Sequence, residues 1–365
     1  RSYARTVRDL ARRRDLMAIS EDLADAAAAP KFDVSADDIA LKASGEIERV
    51  MGDGEDGGPQ DMATTVAQAL RTLDDARKDD GAALAIPTGI AELDHQIGGL
   101  AVSEVSVLGA RPGMGKTAVA AQIALNVALS SRPVLFFSLE MAADQIMHRL
   151  ICGEANINSS RPHMRGMTAI ERQAYTETAN RLSSAPLFID THAEAVSQIV
   201  ARSQAWHRAG RCSLVVIDYL GLIQPDDRYK GNKVYELAEI TRALKTRIAN
   251  RLHVPVLLLA QLNRGVEGRD DKRPTLADLR DSGAIEQDAG LVMFLFREAY
   301  YLERKLERTP GEEADLQASR TELEIIIAKN RHGPANREAR TTFDPSTTRV
   351  GRRQESMDFG EEVPV

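Results

Sequence analysis

Nine residues, Gly109-Ala110-Arg111-Pro112-Gly113-Met114-Gly115-Lys116-Thr117, constrain the fold more than any other stretch. They follow an apolar run, SEVSVL, and precede AVAAQIALNVAL, which has helical character. Gly113 and Gly115 lack a Cβ, so the backbone can curl and turn its N–H groups inward. A helix opening near Lys116 adds unpaired N–H groups and the positive end of its dipole. Together these make a cradle for phosphate. Lys116 would reach the outer phosphates there, and the Thr117 hydroxyl would hold Mg²⁺. The spacing is that of a P-loop with one departure: Ala110, six places before Lys116, stands where the pattern has Gly. Alanine is a mild change, because the strand exit needs a small residue more than a positive φ. The expected nucleotide-binding segment is Ala110, Arg111, Pro112, Gly113, Met114, Gly115, Lys116, Thr117 and Ala118. A glycine-rich turn with a chance lysine is the competing explanation, and the strand–loop–helix context speaks against it.

From Ala83 onward strands and helices alternate. Apolar runs occur at 105–108, 133–140, 186–190, 214–218, 254–261, 291–296 and 323–329. Near-continuous hydrophobicity marks strands buried on both faces of a largely parallel sheet, and intervening helical stretches predict a doubly wound α/β fold. REARTTFD (337–344) alternates after the turn Gly333-Pro334, which predicts a terminal hairpin. Residues 1–50 read as two helices, with Tyr3, Val7, Leu10, Leu16, Ile19 and Leu23 at helical spacing and a second segment from about Ser35 to Val50. MGDGEDGGPQD (51–61) is a flexible linker, and the helix after it carries an apolar stripe of Val66, Ala69, Leu70 and Leu73. That helix would dock on another subunit or on its own domain. The expected organisation is two helices (1–50), a linker with a docking helix (51–82), a nucleotide-binding α/β domain (83–350) and an acidic, disordered tail (351–365).

The chain's 47 Lys+Arg against 54 Asp+Glu leave a net charge of -7, so no global basic field for nucleic acid exists. A local basic lining remains compatible with that balance. Two cysteines, Cys152 and Cys212, fit reduced thiols in a cytoplasmic protein. No apolar run approaches the roughly 18 residues of a membrane span. A start at Arg1 rather than Met reads as a fragment or a trimmed product.

Several strand ends carry chemistry. Asp218 closes the apolar run LVVID, where an acid can order Mg²⁺ or its water. Glu140 ends the strand after the P-loop helix, where a carboxylate can orient and deprotonate water; a helix N-terminal Glu is the alternative. Gln261 ends a third strand and can hydrogen-bond phosphate or water without adding charge. Lys329 and Arg331, in KNRHGP, are candidates for transition-state cations, and an arginine supplied in trans would couple hydrolysis to assembly. Two loops could hold nucleic acid. Residues 224–233 carry Arg228, Lys230 and Lys233; residues 263–283 carry Arg264, Arg269, Lys272, Arg273 and Arg280, the last opening the turn Arg280-Asp281-Ser282-Gly283. Both are mixed in charge, so a plain solvated loop is the competing explanation. No histidine has metal-ligand spacing.

The ordered set PTGIAELD, ARPGMGKT, SLEM, LVVIDYL, AQLNR, RDSGAIEQDA and IIIAKNRHGP resembles a DnaB-type replicative DNA helicase over roughly 87–334, and residues 1–82 resemble that family's helical hairpin and linker helix. The resemblance implies a RecA-like motor in a homohexameric ring that encircles single-stranded DNA and moves 5′→3′ on hydrolysis of ATP or another NTP with Mg²⁺. It implies phosphate and Mg²⁺ roles for Lys116 and Thr117, Walker B for Asp218, the catalytic base for Glu140 and phosphate sensing for Gln261. Arg331 with Lys329 would act on the neighbouring subunit's nucleotide. Arg280, Asp281 and Gly283 would contact DNA backbone, which suits a sequence-independent task. Primase and a helicase loader are the implied partners, in a bacterial or phage cytoplasm. Two departures stand out: Gly113 where the family often has Ser, and Gly290 after IEQDA where Asp is common. A RecA-fold ATPase that handles duplex DNA or remodels protein is a second reading. A non-catalytic scaffold, the third, would be expected to lack Lys116, Glu140 or Asp218, and all three are present.

Overall fold

The computed structural model describes residues 2–28, 39–40, 42–43, 45–47, 50, 61–78, 84–160, 166–225, 233–279 and 283–351. The chain divides into two units, Arg1–Arg71 and Thr72–Val365. The first opens with α1 (Ser2–Ala28), which leaves Leu10, Leu16, Met17 and Leu23 exposed. The described residues from 39 to 50 are helical too. Helix α2 (Met62–Lys78) carries its Val66, Leu70 and Leu73 stripe exposed. The linker at 51–60 and the tail from 352 lie outside the described residues.

The second unit runs β1 (Ala85–Ile86), α3 (Ala91–Ile97), β2 (Leu100–Ala101), β3 (Val105–Ala110), α4 (Lys116–Leu129), β4 (Val134–Ser138), α5 (Ala143–Ala155), α6 (Ala169–Leu182), β5 (Leu187–Asp190), α7 (Val196–Arg208), β6 (Leu214–Asp218), α8 (Lys233–Ala243), β7 (Val256–Gln261), α9 (Gly283–Asp288), β8 (Leu291–Phe296), α10 (Glu298–Glu303), α11 (Pro310–Ser319), β9 (Glu322–Asn330), β10 (Arg337–Asp344) and β11 (Arg349–Val350). Nine strands form one sheet in the order β11-β10-β9-β8-β3-β7-β6-β4-β5. Strands β8, β3, β7, β6, β4 and β5 are parallel, and β9, β10 and β11 add on antiparallel. The mostly parallel α/β class and the terminal hairpin match the reading of the sequence. Strands β1 and β2 pair apart from the large sheet.

Alternate residues of the central strands feed two cores. Leu108, Phe136, Val216, Leu257 and Leu259 pack into one; Val107, Phe137, Ile217, Leu258 and Val215 pack into the other. A sheet covered on both faces needs apolar residues at every position, which is why these strands show no alternation. Strand β5, at the sheet's edge, is only half-buried. Cys152 and Cys212 are free thiols, and burial pushes them up to about 11 and about 12. Among the described residues no helix is long and apolar enough to cross a membrane.

The register decides where chemistry can occur. Ala110 pairs with Gln261, and Ser138 with Asp218, so the ends of β3, β7, β6 and β4 line up along one edge. At the opposite edge Val292 pairs with Lys329, and the Arg331 N–H donates to the Gly290 carbonyl at 2.8 Å.

Candidate active site

The loop after β3 takes the curled form that its glycines allow. Gly113 lies at φ +84 and Gly115 at φ +92, and Met114 between them is buried. Space is as limiting as conformation. A Cβ on Gly113 would come within 2.7 Å of Tyr300 Cε2, and that tyrosine's hydroxyl donates to the Pro112 carbonyl at 2.7 Å. Serine at 113 would therefore displace the ring on α10 that braces the loop. Ala110 is buried at the end of β3. Arg111 turns its side chain away from the cradle: Nη1 donates to the Leu262 carbonyl at 2.8 Å, and Nε and Nη2 donate to Glu267. Its contribution to a phosphate would come from the backbone.

Lys116 and Thr117 open α4 beneath this loop. The Thr117 hydroxyl donates to Asp218 Oδ2 at 2.6 Å, and Lys116 Nζ lies 3.6 Å from Asp218 Oδ1 and 4.2 Å from the centre of the Tyr219 ring. Burial pushes the Lys116 ammonium below its ordinary pKa, while the charges of Asp218 and Glu140 oppose that shift. Asp218 is fully buried, and its Oδ1 has no hydrogen-bond partner. Hard oxygen donors with an unsatisfied carboxylate oxygen suit Mg²⁺ and its waters. Among the described residues no cluster of three or more His, Cys, Asp or Glu could hold a metal by itself.

Glu140 is exposed two residues beyond β4. Its loop is pinned from both sides: Ser138 Oγ donates to the Met141 carbonyl at 2.6 Å, and the Leu139 N–H donates to the Asp218 carbonyl at 2.7 Å. Gln261 is exposed at the end of β7, between the P-loop strand and the Asp218 strand. Beside it opens a cavity of about 590 Å³, lined among others by Tyr219, Asn263, Arg264 and Leu279.

Sequence reading missed Arg297, the residue after β8 on this same edge. It is 4% exposed, its guanidinium lies 4.7 Å from the centre of the Phe343 ring, and its Nε and Nη2 have no partner. Phe343 in turn sits 3.2 Å from where a Cβ on Gly115 would be. In sequence it shows only as an arginine directly after the apolar run LVMFLF.

Lys329 and Arg331 lie on the far edge. Lys329 Nζ donates to the Glu286 carbonyl, and Arg331 Nη2 to the Gln287 carbonyl at 2.6 Å. With β3 six residues long, this edge is roughly 17 Å from the P-loop. Of the nucleic-acid candidates, Arg228, Lys230, Arg280 and Asp281 lie outside the described residues; Gly283 is exposed at the start of α9. Arg269 pairs with Asp278 at 2.6 Å within the loop, and Arg273 ties the loop to β9 and β10 through Glu324 and Glu338 at 2.7 and 2.9 Å.

A P-loop ending the central strand, an acid two strands away and a glutamine on the strand between them define a RecA-like nucleotide-binding domain. The comparisons are more specific. The chain belongs to the DnaB-like helicase family: the model of the DnaB-like helicase C-terminal domain matches residues 85–352. It is 39% identical to the replicative DNA helicase DnaC of Bacillus subtilis over 277 residues, covering 75% of this chain and 58% of the relative. It is 36% identical to the replicative DNA helicase DnaB of Rickettsia typhi over 354 residues, covering 91% of this chain and 70% of the relative. A solved ATPase domain superposes with a TM-score of 0.69 at 31% identity, covering 81% of this chain and 99% of that one. A DnaB-like replicative helicase, solved in a study of its interactions with primase, gives 0.68 at 28% identity, covering 96% and 78%. The chain thus spans little more than half the length of the Bacillus relative.

Proposed function

We propose that this chain is the motor part of a replicative DNA helicase that hydrolyses ATP at sites shared between neighbouring copies. The single observation that carries the reading is the position of Lys329 and Arg331, a sheet's length from the P-loop of their own chain. They cannot serve that loop, but a second copy docked against this edge would receive them.

Within the site, Lys116 and the curled backbone bind the β- and γ-phosphates. Glu140 accepts a proton from the water that attacks the γ-phosphorus, and the bond to the bridging oxygen breaks to release ADP. Thr117 and Asp218 would hold Mg²⁺, which when bound offsets the charge of the phosphates. Gln261 reports the γ-phosphate to the loop that follows β7. Single-stranded DNA is the track, held by the loops that follow β6 and β7, with Arg228, Lys230, Arg280, Asp281 and Gly283. Both loops leave the sheet on the nucleotide edge, so phosphate state and DNA contact share one set of strand ends. The motor is residues 83–350, with the hairpin and α2 ahead of it. The exposed stripe on α2 suits docking on a neighbouring copy in a homohexameric ring. Primase as a partner is supported by the solved relative whose interactions with primase were described, and a loader is the further expected partner.

Arg297 belongs to this proposal as a nucleotide contact, since an unpaired guanidinium buried beside the P-loop is costly unless a ligand satisfies it. Arg297→Ala is expected to weaken ATP binding roughly 10- to 100-fold, the worth of a hydrogen bond to a charged group. Titration with a fluorescent ATP analogue measures it, and an unchanged Kd would reduce Arg297 to a packing role.

The function as a whole is tested by ATP turnover against protein concentration, with and without single-stranded DNA. Specific activity should rise steeply with concentration and be stimulated by DNA. Flat, DNA-independent turnover would point instead to a self-contained ATPase.

A further inference from the structure

We infer that Glu104 is the positioning residue for the trans-acting pair Lys329 and Arg331, and that Gly290 is glycine to make room for it. This rests on the reading that the pair acts on a neighbour's nucleotide.

Glu104 directly precedes β3, and its own carbonyl accepts from the Val256 N–H at 3.0 Å, which fixes the backbone. Its carboxylate is 17% exposed, and Oε1 lies 3.7 Å from both Arg331 Nη1 and His332 Nε2. The other oxygen, Oε2, is buried without a hydrogen-bond partner. Gly290 explains the fit: a Cβ there would stand 2.7 Å from Oε2. No positive φ demands glycine at 290; what glycine supplies there is space for the Glu104 carboxylate in the position it occupies.

The neighbourhood is crowded with cations. Lys245 donates to the Asp288 carbonyl, Lys329 to Glu286 and Arg331 to Gln287, so three side chains cap the last carbonyls of α9. Glu286 and Glu104 are the anionic groups that act on Lys329, against Arg331 and Lys245. Carbonyl caps supply partial charge only. The full negative charge that faces the Arg331 fork from the strand side is Glu104, and at 3.7 Å the contact orients the fork without a tight bond. Such a partner is exchangeable for a phosphate when a neighbour's nucleotide arrives. An unsatisfied buried carboxylate oxygen calls for an explanation, and a place held against the Arg331 fork supplies one.

The experiment uses the full chain with four variants: Glu104→Gln, Glu104→Ala, Gly290→Asp and the Glu104→Ala/Gly290→Asp double. DNA-stimulated ATP turnover and nucleotide Kd are measured for each. The near-isosteric Glu104→Gln variant guards against misfolding. Removing the charge is expected to lower kcat roughly 10- to 100-fold, the effect of misplacing a catalytic group by about 1 Å. KM and Kd for ATP should hold, because each chain's own P-loop is untouched. Gly290→Asp alone should also be impaired, because its side chain meets Glu104. In the double variant the aspartate's carboxylate takes the vacated volume, and kcat should recover. Wild-type kcat in both Glu104 variants would overturn the inference. So would a loss that appears in Kd and is not restored in the double variant, which is the signature of a merely structural role. A parallel mixture of Arg331→Ala with Lys116→Ala subunits separates the two layers: no complementation there overturns the trans reading and this inference with it, whereas complementation with fully active Glu104 variants overturns this inference alone.

Discussion

Arg331→Ala is expected to all but abolish ATP turnover, with kcat falling by roughly 10³- to 10⁵-fold, the worth of an arginine that stabilises a phosphoryl-transfer transition state. Nucleotide binding should stay, because Lys116, Thr117 and Asp218 are on the opposite edge of the sheet. The informative step is mixing. An Arg331→Ala subunit still offers an intact P-loop, and a Lys116→Ala subunit still offers an intact arginine. Where the two meet in the right order, one complete site forms and turnover returns in part. Steady-state kinetics across mixing ratios, with assembly followed by light scattering, gives the answer. Failure at every ratio with assemblies intact would remove Arg331 from the neighbour's site.

Glu140→Gln is expected to retain ATP affinity while kcat falls by roughly 10²- to 10⁴-fold, the range for loss of a general base. The substitution keeps shape and a hydrogen-bonding head but cannot accept the proton. The exposure of Glu140 and the double pinning of its loop place the carboxyl without burying it. Single-turnover hydrolysis measures the chemical step directly. Full turnover in this variant would assign the base elsewhere, with Gln261 left to orient water.

Much of this was legible because chemistry at strand ends leaves local marks. The runs LVVID and LVMFLF marked β6 and β8 to the residue, since a strand buried on both faces is apolar throughout and stops where polarity starts. The P-loop was legible because its glycines answer to backbone geometry within a few residues. Pairs of residues distant in sequence were not. Arg111 meets Leu262 and Glu267 across more than 150 positions, so nothing local revealed that its side chain leaves the cradle. Arg297 has no motif around it; only the fold stacks it on Phe343. In sequence Arg269 and Arg273 are nucleic-acid candidates in a loop of mixed charge, and only the fold shows their acidic partners. Two-residue strands such as β1, β2 and β11 are too short for any periodicity to register. Gly290 showed in sequence only as a missing side chain; its meaning lay in the carboxylate beside it.

The opposed edges of the sheet give each molecule a front and a back. On the proposed reading one edge accepts a cation and the other donates it, so copies would join head to tail through two unlike surfaces. An interface of that kind closes into a ring or winds on as a helix, and a face-to-face dimer cannot complete either site. A closed ring has as many complete sites as subunits, whereas an open spiral has one fewer. The gap in such a spiral leaves one P-loop without its arginine and one arginine without its phosphate, so opening the ring to admit a strand of DNA would silence one defined site and leave the others competent.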